Sequence, residues 1–399
     1  MNTCFSYMFC RFYNAYLETQ EKNNLYRTLK TQSDNHAVYV DFSSNSYLGL
    51  HRHPKVVKSA LEAAEHFGCG ATGARLLSGH FDLLQAFEAR LAKDKKTEAA
   101  LLFSSGFTAN TSALSCLLDQ SVLTKEPIVF FDKLNHASLY QAVFLSKARL
   151  IRYRHNDMQH LSDLLQKNAH LSNPQFIVTE TLFGMDGDTA ALEDIVHLAR
   201  QHGAFLYLDE AHATGMLGEN GYGLSTTLDL SDLPCAIMGT FSKALGTSGA
   251  FVACSRDVQA YLVNRCAGFV YATAPSPLTV GAAFGAWQQL QHLASERAAL
   301  LEKGAHLRHA LRNEGFDTGL STTWIVPLIV QAADKAQQLY RHLLHSGFLT
   351  ACIRPPTVPP NTARLRLSLK TSHTKEQLTA LSLALLDWAH KAQRLRKRG

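Results

Sequence analysis

Two short segments carry the densest set of reactive side chains in the chain. Asp209-Glu210-Ala211-His212 follows the apolar run Phe205–Leu208, and Thr240-Phe241-Ser242-Lys243 follows the run Ala236–Met238. An open α/β sheet builds its site from the loops after the C-terminal ends of its parallel strands. An acid, an imidazole and an amine are therefore expected at one sheet edge, on neighbouring strands. A lysine amine held there can bond a carbonyl carbon or take up a proton. A buried Asp and a buried Lys can equally form a structural ion pair, and it is their company that turns attention to chemistry. Ser104-Ser105-Gly106-Phe107-Thr108-Ala109-Asn110 follows another apolar run and opens a helix, offering backbone N–H groups and hydroxyls to a phosphate. Asn135-His136-Ala137-Ser138 follows a further run and offers an imidazole that can lie against a flat ring.

The elements that must position these residues are legible from about residue 54. Pro54 opens a helix with Val56, Val57, Ala60, Leu61 and Ala64 on one face, and Gly68 ends it. A second helix over Phe81–Lys93 carries the stripe Leu84, Phe87 and Leu91. Short apolar runs then follow at 100–103, 128–131, 150–153, 176–179, 205–208, 236–238 and 250–253, most of them separated by helical stretches such as 138–146, 158–166 and 192–202. Doubly apolar strands alternating with helices predict a mostly parallel sheet covered on both faces. After Pro277 a long helical region reaches about Asn313, followed by strands at 324–330, 349–353 and 364–369 and helices at 335–345 and 375–392. The expected organisation is an N-terminal arm and helix over 1–50, a large domain over 51–285 and a small C-terminal α+β domain over 286–399.

Together these residues resemble the fold-type I pyridoxal-phosphate enzymes, over almost all of the chain from about residue 38. The resemblance implies an α/β, aminotransferase-like fold with pyridoxal 5'-phosphate as cofactor and no metal. It implies that Lys243 holds the cofactor as a Schiff base, that Asp209 pairs with the pyridine nitrogen, that His212 approaches the ring hydroxyl and that His136 stacks on the ring. Gly106, Phe107, Thr240 and Ser242 would hold the phosphate. Tyr271 and Thr273 resemble a segment that reaches the phosphate of a partner subunit, which implies a homodimer. Two competing strings fail on context. Asp209–His212 spells DEAH, but the chain has no GxxxxGK[ST] phosphate loop. Gly68–Gly73 spells GxGxxG, but it follows a helix rather than a strand. The segment from Gly68 to Gly79 is expected to be irregular backbone near the site.

Three further strings are similar to the α-oxoamine synthases, which condense an amino acid with an acyl thioester and release carbon dioxide. They are Asp41–Leu50 with Asn45, Met185-Asp186-Gly187-Asp188, and Ile353-Arg354-Pro355-Pro356-Thr357-Val358-Pro359 followed by Thr362–Leu367. The last resembles the biotin-pathway member, implying L-alanine and a pimeloyl thioester of CoA or acyl-carrier protein as substrates. By that family's register Arg366 holds the amino-acid carboxylate. Arg364, two residues away on the same strand face, is expected at the margin of the site or at an interface. The resemblance further implies that Lys243 acts as base, that His136 assists the condensation, and that Thr357 and Arg27 meet the acyl chain. The chain departs from the family at Gly184, where a Ser is frequent, and at Ala272, where a hydroxyl residue is common. A glycine- or serine-using relative is the nearest alternative. A noncatalytic partner subunit of the same fold is a further one, against which the retained Lys243 and Asp209 argue.

Composition excludes other classes. The formal charge is +6, yet Lys391, Arg394, Arg396, Lys397 and Arg398 contribute five positive charges in the last nine residues. The body is thus nearly neutral and has no basic, aromatic-studded stretch for nucleic acid, and the tail is expected to be a frayed end. Eight cysteines, at 4, 10, 69, 116, 235, 254, 266 and 352, show no CxxC or metal spacing and suit reduced, buried thiols in a cytoplasmic protein. Residues 1–16 lack the pattern of a signal peptide or membrane span.

Overall fold

The computed structural model describes the backbone of residues 2–29 and 39–396, and side chains from 9 to 391 within those limits. The side chains of Cys4, Arg394, Arg396, Lys397 and Arg398 lie outside the described residues. The last helix, Lys375–Arg396, nevertheless carries the backbone past Ala392, where the sequence pattern ended it.

In chain order the strands are β1 (Val40–Asp41), β2 (Ala99–Phe103), β3 (Ile128–Asp132), β4 (Arg149–Tyr153), β5 (Gln175–Glu180), β6 (Phe205–Asp209), β7 (Cys235–Thr240), β8 (Ala250–Cys254), β9 (Ile325–Gln331), β10 (Phe348–Leu349), β11 (Ala351–Ile353) and β12 (Ala363–Ser368). The seven runs expected to be strands form one sheet in the order β2-β8-β7-β6-β5-β3-β4. Its pairs from β7 to β4 are parallel. β8 runs antiparallel to both of its neighbours. Successive residues feed opposite faces: Leu206 and Leu208 enter one apolar core and Tyr207 the other. Both faces are therefore covered, as a mostly parallel sheet requires.

The helix Asp82–Asp94 buries Leu84, Phe87 and Leu91 fully, as its stripe predicts. Phe87 stacks on Phe284 at 4.8 Å between centroids and meets Phe241 at 5.2 Å. Phe241 lies two residues before Lys243, so this aromatic cluster anchors the lysine turn, and deleting such a buried ring costs about 3–5 kcal/mol.

Three expectations are corrected. The helix Pro54–Phe67 buries Val56 and Ala63, while Val57 and Leu61 are exposed. The helix Pro277–Gln289 packs on it through Gly281 and Gly285, where an added Cβ would come within 2.6 Å of Ser59 atoms. That close approach selects the Val56–Ser59–Ala63 side. The long helical region after Pro277 is broken by a short 3-10 turn at Leu290–His292 before Ala294–Asn313. Among the described cysteines, Cys116, Cys254 and Cys266 are buried but Cys10 and Cys69 are exposed. No helix among the described residues is long and apolar enough to cross a membrane.

The C-terminal part holds a three-stranded antiparallel sheet, β11-β12-β9. Parallel pairing of β1 with β10, and the Ser368 N–H donating to Phe42 O at 2.8 Å, bring the N-terminal segment 41–47 against β12. Asn45 and Arg366 become neighbours for this reason.

One buried polar pin supports the site from below. His155 bridges Asp132 at 3.0 Å and Asp188 at 2.9 Å, and its ring edge meets Phe183. Burial alone would lower its pKa, but hydrogen bonds to Asp132 and Asp188 outweigh this and raise it from 6.5 to about 10. The imidazolium thus ties the 183–188 turn to β3. Because the folded value exceeds the unfolded one, its contribution is complete below pH about 6.5 and is lost as pH rises through about 10. Denaturant midpoints measured from pH 6 to 10 are expected to converge for wild type and His155→Gln toward the alkaline end. A difference independent of pH would contradict this.

Candidate active site

Strand alternation separates the two adjacent acids at the end of β6. Glu210 turns away from the sheet edge into a fully buried ion pair with Lys95, and also accepts from the Ser225 N–H at 2.7 Å. The structural Asp/Glu–Lys pair that the sequence made conceivable therefore exists, but it is Lys95–Glu210. Asp209 stays at the edge, 3 % exposed, accepting from the Ala211 N–H at 2.8 Å and from Asn110 Nδ2 at 2.7 Å.

Lys243 sits in a tight turn between the antiparallel strands β7 and β8, closed by Gly246 N–H to Lys243 O and Thr247 N–H to Phe241 O, both 2.9 Å. Gly246 has φ +65°, a left-handed conformation that favours glycine. No hydrogen bond or ion pair reaches Lys243 Nζ among the described residues. Desolvation brings its pKa down to about 8 against the opposing pull of Asp209 and Glu180. An unpartnered amine that is partly neutral near pH 8 is the nucleophile an aldehyde needs.

Glu180, at the end of β5, is in register with Asp209 across the parallel pair, so both carboxyls stand side by side on one face. Burial, then the Asp209 charge, raises its pKa well above the ordinary carboxyl range. Glu180 belongs to none of the sequence motifs that point to chemistry. Its position at a strand's C-terminal end, in step with Asp209, was the available signal.

His136 caps the helix Ala137–Ser146, its Nδ1 accepting from the Ser138 N–H at 3.3 Å and lying 2.8 Å from Ser138 Oγ. Asn110 Nδ2 donates to both Asp209 Oδ2 and Ser138 Oγ, at 2.7 and 2.9 Å, and the Tyr207 hydroxyl donates to Asn110 Oδ1 at 3.0 Å. Asn110 and Ser138 lay inside strings singled out from the sequence but had no assigned part.

β12 separates the two arginines that share its face. Arg364 is held by the Asp186 carboxylate and by Met185 O. Arg366 is 6 % exposed and, among the described residues, hydrogen-bonds only neutral groups, Gly184 O at 3.2 Å and Asn45 Oδ1 at 3.0 Å. Its Nε is buried without a partner, and burial lowers its pKa. A buried guanidinium facing no carboxylate, with a spare donor, suits a ligand carboxylate.

Tyr47 joins this corner, its hydroxyl 3.2 Å from Asn45 Oδ1 and 2.8 Å from His212 Nδ1. His212 is buried and its pKa falls well below the usual histidine value, through burial first and then the charges of Lys243 and Arg366. Its ring explains Gly184. A Cβ there would overlap His212 Nε2 and lie 2.6 Å from two ring carbons. Gly184→Ser is therefore expected to displace His212 and destabilise the fold by about 1–3 kcal/mol, read as a lower Tm. An unchanged Tm would show that the ring has room to move.

Gly106 abuts Thr240, where an added Cβ would sit 3.3 Å from Thr240 Cβ and 3.4 Å from its Oγ1. Thr240 Oγ1 lies 2.9 Å from Ser242 Oγ, and Ser105 caps the helix that Gly106 opens. Phe107 is 54 % exposed and Tyr271 86 % exposed. Thr273 bridges Ala74 in the irregular 68–80 segment. Thus Gly106, Thr240 and Ser242 converge, whereas Tyr271 is turned toward solvent in this chain.

Arg27 and Thr357, 330 residues apart, meet through Arg27 Nη2 donating to Thr357 Oγ1 at 3.0 Å. They line a cavity of about 1660 Å³ that also takes in Ser44, Ser46, Ile353 and Arg354. Ser44 and Ser46 flank Asn45, so this cavity adjoins the Arg366 corner.

The donor set fits pyridoxal phosphate: an unpartnered amine, an ionisable acid braced by two donors, and a glycine-lined cradle. A family model for class I and II aminotransferases matches residues 37–385. The fold is the fold-type I, aminotransferase-like architecture, and the protein is a pyridoxal-phosphate-dependent acyltransferase. The 8-amino-7-oxononanoate synthase of Gluconacetobacter diazotrophicus is 44% identical, covering 95% of this chain and 97% of that protein. That of Geobacter sulfurreducens is 40% identical over 91% and 94%. Among solved structures, the serine palmitoyltransferase of Sphingomonas wittichii superposes with TM-score 0.82 at 30% identity over 90% and 88% of the two chains. The 8-amino-7-oxononanoate synthase of Francisella tularensis gives 0.76 at 26% identity over 90% and 99%. The chain belongs to the 8-amino-7-oxononanoate synthase family, the biotin-pathway α-oxoamine synthases within the class I and II aminotransferases.

Proposed function

We propose that the protein condenses L-alanine with a pimeloyl thioester, of CoA or acyl-carrier protein, to give 8-amino-7-oxononanoate, carbon dioxide and the free thiol. The observation that carries this is Arg366, a buried guanidinium with no carboxylate partner, set close enough to the catalytic lysine to lower its pKa. In this proposal Arg366 and Asn45 seat the alanine carboxylate. Lys243 would take the Cα proton at Nζ. When bound, the cofactor supplies an electron sink for the charge that develops at Cα.

Asp209 would pair with the cofactor's ring nitrogen, His212 would approach its ring hydroxyl, and His136 would lie against the ring. Gly106, Phe107, Thr240 and Ser242 would hold its phosphate, and Tyr271 and Thr273 would serve the partner's site in a homodimer. Arg27 and Thr357 meet the acyl chain, supported by their contact across the adjoining cavity.

The test is thiol release by the cofactor-loaded protein with L-alanine and pimeloyl-CoA or pimeloyl-acyl-carrier protein. Release with both substrates, and none without alanine, is expected. The structural likeness to a serine palmitoyltransferase makes serine the first competitor to try, with glycine beside it. Faster thiol release with either would reassign the amino acid.

A further inference from the structure

We infer that Asn110 and Ser138 are positioning residues that hold His136 as a neutral imidazole with its proton on Nε2, ready to donate to the acyl carbonyl oxygen. The donor role rests on the condensation proposed above; the tautomer assignment does not.

The direction of each hydrogen bond follows from valence. Asp209 Oδ2 can only accept while ionised, so the Asn110 atom 2.7 Å from it must be the amide nitrogen. The Tyr207 hydroxyl, 3.0 Å from the other amide atom, independently requires an acceptor there once it donates. The amide nitrogen has a second hydrogen, which points to Ser138 Oγ at 2.9 Å. Ser138 Oγ thus accepts from Asn110, and its own proton is free for the only other partner within reach among the described residues, His136 Nδ1 at 2.8 Å. The Ser138 N–H is aimed at the same nitrogen at 3.3 Å. Two donors converge on Nδ1, so the ring proton belongs on Nε2.

The chain Tyr207–Asn110–Ser138 is buried: Tyr207 is 0 %, Asn110 1 % and Ser138 1 % exposed. Buried donors left unmatched cost free energy, so the arrangement has little freedom to reverse. Protonating Nδ1 would require the Ser138 hydroxyl to turn away and lose its acceptor. The charged and titratable groups around His136 are Asp209, Lys243, His212 and Glu180. Burial lowers the His136 pKa, against Asp209 and with Lys243. The same amide also braces Asp209, so one side chain orients both the acid and, through Ser138, the imidazole.

The experiment compares full-length, cofactor-loaded wild type, Ser138→Ala and Asn110→Ala. Histidine-selective 15N spectra identify His136 by its loss in His136→Gln. The expected wild-type pattern is an unprotonated Nδ1 and a protonated Nε2; a proton on Nδ1 overturns the inference. In Ser138→Ala Nδ1 should gain proton character because a donor to the neutral form is gone, and in Asn110→Ala because the Ser138 oxygen, no longer accepting from the amide, is free to accept from a protonated Nδ1. The acid limb of the kcat–pH profile should accordingly move to higher pH, with kcat down about tenfold and the cofactor absorbance retained. Unmoved spectra and an unmoved acid limb overturn the inference. Should Ser138→Ala fail to fold, Asn110→Ala carries the same readout. In a His136→Gln background, Ser138→Ala should cost nothing further in kcat, whereas an undiminished additional loss would make Ser138 a structural support only. The spectra require no acyl substrate, so they stand whether or not wild type releases thiol from pimeloyl thioesters.

Discussion

Replacing Lys243 with alanine is expected to leave a folded protein that still binds pyridoxal phosphate but turns over at least about 10³-fold more slowly, since both the proposed covalent anchor and the proposed Cα base are lost. Folding should survive because the turn is held by backbone bonds from Gly246, Thr247 and Gly249 and by buried Phe241, none of which needs the amine. Binding should survive because the proposed phosphate cradle and Asp209 are untouched. The wild-type amine offers a second check through pH. With a pKa near 8 in the cofactor-free protein, its neutral, nucleophilic fraction grows as pH rises through that value. Capture of added pyridoxal phosphate by the cofactor-free chain should therefore accelerate from pH 7 to pH 9, and Lys243→Ala should show no such step. Turnover of Lys243→Ala within tenfold of wild type would remove the lysine from the proposed role.

The second large effect concerns the paired arginines of β12. Arg366→Met is expected to lower kcat/KM for the amino acid by roughly two to three orders of magnitude, because the proposed fork of charge-assisted hydrogen bonds to the amino-acid carboxylate would be lost. Arg366→Lys should recover only part of this, since an ammonium cannot reproduce the planar fork. Arg364→Met should behave differently. It strips the Asp186 carboxylate of its partner, so Tm should fall while the KM for the amino acid stays close to wild type. Steady-state kinetics and thermal melts on the three variants separate the roles. A larger rise in KM for Arg364→Met than for Arg366→Met would exchange the assignments.

These two residues also mark where sequence patterning stops. Period-two alternation puts Arg364 and Arg366 on one face and cannot distinguish them. Only the docking of the 183–188 turn on β12 decides between them, by delivering Asp186 to Arg364 and a bare carbonyl from Gly184 to Arg366. Helix periodicity over residues 54–67 is similarly ambiguous. Its apolar residues wrap more than one face, and the glycines of a helix more than 200 residues later choose which side is buried. Gly184 read in isolation is a missing hydroxyl; in the fold it is the space occupied by the His212 ring.

By itself the sequence determined the seven strands of the large sheet, the alternation that aims Asp209 at the sheet edge, and the loops in which Lys243, His136 and Gly106 stand. All of these depend on side-chain type and spacing over a few residues, which local sterics and burial decide. Tertiary structure alone decided the strand order, the side-by-side placement of Glu180 and Asp209, the meeting of Arg27 with Thr357, and the hydrogen-bond chain from Tyr207 through Asn110 and Ser138 to His136. Apart from Ser138 and His136, which are two positions apart, those contacts join residues dozens to hundreds of positions apart, and hydrogen-bond direction depends on which donor faces which acceptor. The pattern along the chain thus placed reactive groups at one edge, and packing selected which of them remained unpaired and available for chemistry.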